Sequence, residues 1–144
     1  MGKIAILLGA LLVGGIAQAA GAQETYFTAA GAPVSTLVRV SYPDSSARFQ
    51  PGPDVAEILA DAKDAAVIYV SGRTSTTRPS AKDEALAFAR AAAARKYLAD
   101  RGVSPLKIMV NYASATDFVA DNTTPEGKLE NQRVDIELVY VPMY

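Results

Sequence analysis

Histidine and cysteine are both missing from this chain. That removes the commonest general base and metal ligand, and with them thiolate zinc sites, disulfides and a thiol nucleophile. Catalysis would have to rest on carboxylates, Lys, Tyr or Ser. No serine sits in a nucleophile-elbow pattern, and no Gly-rich phosphate loop occurs. Asp61 and Asp64 fall on an amphipathic stretch and read as a solvated face. The residue types therefore predict a binding or structural role, with no enzymatic activity, metal or cofactor. The formal net charge of −1 offers no basic field for nucleic acid.

The elements that would position a binding site begin after an address. Lys3 precedes an uncharged apolar run, Ile4 to Ile16, followed by the small-x-small triplets Ala17-Gln18-Ala19 and Ala20-Gly21-Ala22. Residues 1–22 read as a secretory signal peptide with cleavage after Ala22 or Ala19. With no Cys to acylate, the exported chain is expected in the periplasm, soluble or held at the outer membrane or cell wall by a partner.

Residues 23–35 read as a flexible leader, and 36–144 as the one domain this length allows. Thr36 to Tyr42 alternates with period two and predicts a strand. Pro43 to Pro53 is a turn-rich loop. A helix is expected from Asp54, capped by the Asp54/Glu57 spacing, with Val55, Ile58, Leu59 and Ala62 on one face. Ala65 to Val70 suits a strand buried on both faces. Ser80 and Asp83 have capping spacing, and Gly102 supplies a stop, which brackets a long second helix. Leu106 to Tyr112 and Gln132 to Val141 read as further strands, joined by a polar connection with a helical turn near Glu126. In the last strand Val134, Ile136, Leu138 and Tyr140 share a face opposite Asp135 and Glu137. The order β-α-β-α-β-β predicts an α/β two-layer sandwich, helices on one face of a mixed four-stranded sheet.

Several of these stretches together resemble the OmpA-like domain, the peptidoglycan-binding fold of Pal-type lipoproteins and flagellar stators. Val70-Ser71-Gly72-Arg73-Thr74-Ser75 stands where that family has a strand ending in Gly-His-Thr-Asp. Leu86 and Arg90-Ala91 match its Leu-Ser-two-residues-Arg-Ala. Asn122 to Lys128 and Asn131-Gln132-Arg133-Val134-Asp135-Ile136 match its closing Asn, Thr, Glu-Gly-Arg and Asn-Arg-Arg-Val-Glu-Ile. The resemblance spans roughly residues 36–140.

That resemblance implies a ligand: the diaminopimelate of the peptidoglycan stem peptide, which carries an ammonium and a carboxylate on one carbon. The family meets it with the Asp of Thr-Asp and the Arg of Arg-Ala. Here the cation is kept as Arg90, while Ser75, after Thr74, replaces the anion, and Arg73 replaces the His. Asp83, where the family often has Asn, either restores the negative charge or only caps its helix. Arg133 keeps one of the two family arginines, Gln132 replacing the other; it reads as a ligand contact or as an edge-strand charge. Asn131 reads as a tie for the preceding loop or as a ligand contact. Two functions follow from the resemblance. One is a peptidoglycan-binding anchor for an envelope structure. The other is the same fold reused as a protein-interaction subunit of an outer-membrane, secretion, pilus or conjugation assembly, with wall binding lost. A concave site with Arg90 facing Asp83 or Ser75 favours the first; a site filled by Arg73, with an apolar patch elsewhere, favours the second.

Overall fold

A computed structural model describes residues 23–27 and 33–141; the signal peptide read at residues 1–22 lies outside them. The elements are β1 (Gln23–Phe27), β2 (Pro33–Ser41), α1 (Pro53–Ala60), β3 (Val67–Arg73), α2 (Ala81–Asp100), β4 (Ile108–Ala113), α3 (Pro125–Asn131) and β5 (Arg133–Val139). The sheet order is β1-β2-β5-β3-β4, antiparallel throughout except for the parallel pair β3/β4 that α2 connects. The expected four-stranded mixed sheet is thus present, with helices on one face. β1 adds a fifth strand along β2, inside the stretch read as a leader.

Alternation decides which face is covered. Val38, Val40, Ile68, Val70, Val134, Ile136 and Leu138 are buried and meet Val55 and Leu59 of α1 and Ala91, Ala94 and Leu98 of α2 in one core. On the other face β3 presents Tyr69, which is 43% exposed. β3 is an interior strand, between β5 and β4, but it is buried on one side only, because the described helices of the core pack on one side. This corrects the expectation of burial on both faces.

Helix ends follow local chemistry. α2 starts at Ser80, whose Oγ accepts from the Asp83 amide at 3.1 Å and donates to Asp83 Oδ2 at 2.6 Å. It stops in a Schellman arrangement: Val103 N–H reaches Leu98 O and Gly102 N–H reaches Ala99 O, both at 3.1 Å, with Gly102 at φ 92°. α1 departs from expectation. Its cap is Gly52, with no side-chain hydrogen bond, and Pro53 takes the first helical position, where a missing N–H costs nothing. Asp54 therefore lies inside the helix. α1 ends at Ala60, and the buried Ala62 sits in a following 3-10 turn.

The registers Ser41↔Arg133 and Gly72↔Val134, with β4 parallel to β3, bring three connections to one end of the sheet: β2–α1, β3–α2 and β4–α3. The entry to β5 joins them there.

Candidate ligand-binding site

Arg90 lies under these loops. It is 1% exposed on the sheet-facing side of α2. Its guanidinium donates to three backbone carbonyls: Nε to Ser46 O at 2.9 Å, Nη1 to Arg73 O at 3.0 Å and Nη2 to Pro43 O at 3.4 Å. Tyr42 supports it from below, with the guanidinium carbon 5.2 Å from the ring centroid and the hydroxyl donating to Arg90 O at 3.2 Å. Among the described residues no carboxylate lies within 4.0 Å of the guanidinium. Burial lowers the Arg90 pKa from its ordinary value, while Tyr42 and Asp44 act in the opposite direction. Burial also pushes the Tyr42 hydroxyl well up.

The loop after β3 closes over this cation. Thr74 is buried, its hydroxyl 2.9 Å from that of Thr76. Ser75 is held twice: its carbonyl accepts from Asn122 Nδ2 at 2.7 Å, and its Oγ accepts from Gln132 Nε2 at 2.9 Å. The same Gln132 nitrogen donates to Asp44 Oδ1 at 2.8 Å. Asn131 is fully buried and fixes the β4–α3 connection. Its Oδ1 accepts from Val119 N and Ala120 N, and its Nδ2 donates to Ala120 O and to Asn122 Oδ1. A continuous polar chain therefore runs Asn131–Asn122–Ser75–Gln132–Asp44. Beside Ser75 an open groove of about 420 Å³ is lined by Thr76, Thr77, Arg78 and Lys128.

Two of the arginines singled out from the sequence face the other way. Strand alternation puts Arg133 on the helix-free face, 3% exposed, with Nε on Asp135 at 3.0 Å and Nη2 on Asp117 O at 2.7 Å. It is neither at this site nor at a sheet edge, since β5 runs between β2 and β3. Arg73 likewise points away, pairing with Asp117 at 2.9 Å and donating to Asn111 Oδ1 at 2.8 Å. It does not fill the site. Asp83 caps α2 through Ser80, two helical turns before Arg90 or about 10 Å along the axis.

The OmpA family model matches residues 44–132. The chain belongs to the OmpA family. Among its relatives, outer membrane protein A of Bordetella avium is 34% identical over 80 residues, 56% of this chain and 41% of that protein. A Brucella suis protein named as a type IV secretion system outer membrane lipoprotein is 35% identical over 72 residues, 50% of this chain and 42% of that one. The chain thus matches less than half the length of either. The cell wall anchor of the type VI secretion system from Pseudomonas aeruginosa has the same fold, with a TM-score of 0.61, 22% identity, and coverage of 84% of this chain and 88% of that one. OmpA-like domains are structural or binding domains, and the two relatives are named as outer membrane proteins, which places the chain with proteins of the cell envelope. Among the described residues no helix is long and apolar enough to cross a membrane.

Within the OmpA family register, the residues that gather at one end of the sheet are Arg90, Thr74, Ser75 and Asn131, with Asp83 at the start of the same helix. Sequence reasoning missed Asp44 and treated Gln132 only as a departure. The signal for Asp44 was its place in Pro43-Asp44-Ser45-Ser46, a turn sequence directly after a strand.

Proposed function

We propose that this chain binds the diaminopimelate-bearing stem peptide of peptidoglycan non-covalently and so anchors an envelope assembly to the cell wall. The observation that supports it is Arg90. A buried guanidinium without a neighbouring carboxylate leaves a positive charge unmatched, which is costly unless an anion completes it. The fork has five N–H groups and three are engaged by carbonyls, so it keeps donor capacity for a carboxylate. The Ser75 loop follows directly on Arg73, whose carbonyl the guanidinium engages, and opens on a groove of about 420 Å³. With Ser75 in place of a carboxylate, affinity for the ammonium is expected to fall about tenfold below that of a site with Asp there, the difference between a charged and a neutral hydrogen bond.

The test is cosedimentation of the exported chain with diaminopimelate-type peptidoglycan, with and without free stem tripeptide as competitor. Retention that the tripeptide abolishes, and that Arg90→Gln loses while its circular dichroism stays native, is the expected result. A wild-type chain that stays in the supernatant refutes the reading.

A second reading is a docking subunit of a secretion complex, the setting named for the Brucella relative. It is favoured by the exposed edge-to-face pair Phe88 and Tyr112, 5.2 Å apart on the helix side of edge strand β4, with exposed Met109 and Tyr69 on the opposite, helix-free face of the same edge. It would be adopted if the chain is retained by an envelope complex and not by the wall.

A further inference from the structure

An ammonium ligand needs a fixed anion, and position 75 supplies only a hydroxyl. The turn Pro43–Ser46 offers one. Ser46 N–H closes it on Pro43 O at 3.1 Å, and Ser45 stands at φ 58°, the left-handed conformation demanded at the third position of a type II turn. Arg90 clamps both ends of this turn, at Pro43 O and Ser46 O. Asp44 therefore projects from a loop whose backbone is held by the buried cation, which pre-organises an exposed carboxylate.

Gln132 aims that carboxylate at the Ser75 loop. Its amide nitrogen donates to Asp44 Oδ1 and to Ser75 Oγ, while its own Oε1 is buried without a partner among the described residues. The amide is thus turned so that both donors serve the site at the expense of its acceptor. Asp44 Oδ2 accepts no hydrogen bond from the described residues. Gln132 stands where the family resemblance puts an Arg. An Arg there would neutralise Asp44 by an ion pair; a neutral Gln positions the carboxylate and leaves its charge unspent.

We propose that Asp44 takes the ligand's ammonium in place of the family carboxylate missing at Ser75, with Gln132 as its positioning residue. The inference rests on the wall-binding reading above. Charge has moved from one loop to the facing loop, across the hydrogen bonds that join them. Asp83, the alternative anion, already has Oδ2 engaged by Ser80 at the N-terminus of α2, where the helix dipole also favours it.

The experiment is calorimetric titration of the full exported chain with the tripeptide L-Ala-γ-D-Glu-meso-diaminopimelate. Asp44→Asn is expected to weaken binding about tenfold with an unchanged thermal midpoint. Adding Ser75→Asp to that variant is expected to restore it, and Asp83→Asn to leave it as in the wild type. Wild-type binding that Asp44→Asn does not weaken overturns the role of Asp44 while the wall reading stands. So does a loss that comes with unfolding and that Ser75→Asp does not restore. If the wild type itself does not bind, the wall reading fails and takes this inference with it.

Discussion

Tyr42 and Arg90 form a buried pair in which each depends on the other's state. The phenol is fully buried with its pKa pushed up by burial, and Arg90 acts on it in the opposite direction. A group whose folded pKa is raised contributes stability that is complete below its unfolded pKa, about 10 for Tyr, and is lost as pH rises above it. Above that value the unfolded chain releases the proton and the folded chain keeps it, so stability falls by about 1.4 kcal/mol per pH unit. Tyr140 adds in the same direction, raised by burial and by Asp61 and Asp64. Urea midpoints measured at and above pH 10 should therefore decline, and Tyr42→Phe should decline less steeply although it starts lower for want of the hydroxyl bond to Arg90 O. Equal slopes would show that Tyr42 is not the titrating group. Arg90 could be picked out from Arg90-Ala91 in the sequence. Its burial could not, because the three carbonyls that hold it come from the β2–α1 loop and the end of β3, more than a dozen residues away. The role of Asp44 was hidden for the same reason: its turn is fixed by a side chain 46 positions downstream.

Among the elements, α2 against β3 sets how closely a helix can approach the sheet under the site. Gly72 faces the Ala87 carbonyl and the Ala91 amide, and a Cβ there would overlap Ala87 O. The alanines along this side of α2 allow the approach; Gly72 permits it at the point of contact. Gly72→Ala should cost about 3 kcal/mol or more by overpacking backbone against backbone, which no rotamer change relieves. Chemical denaturation would read it, and a loss below about 1 kcal/mol would mean that the helix shifts freely. The long second helix and the last strand were legible because local signals agreed: capping at Ser80, the stop at Gly102, the alternation from Val134 to Leu138. β1 was not, because Gln23–Phe27 owes its order to the backbone ladder with β2 and not to any period of its own. The open face of β3 was hidden too, since a short apolar run looks alike whether one face or two are covered.

At the scale of the whole molecule, the core and the site have different sources of order. The core is a continuous apolar layer between sheet and helices. The site is loop backbone joined by side-chain hydrogen bonds: Arg90 to the turn at 43–46 and to Arg73 O, Gln132 between Asp44 and Ser75, Asn122 to Ser75 O, Asn131 to residues 119 and 120. Loops with few apolar contacts open at lower free energy than core strands, but loops linked this way should open together. A ligand that engages Asp44 and the Ser75 loop therefore stabilises more than it touches. In hydrogen–deuterium exchange, saturating stem tripeptide should slow the amides of residues 44–46, 74–77 and 117–123 by a common factor and leave β5 unchanged. Protection confined to 44–46 would mean that the chain of polar contacts is a set of independent ties. The Gln132→Ala variant separates the two cases further: it removes the bridge between Asp44 and Ser75, so any common factor should split into one for the turn and one for the other two loops.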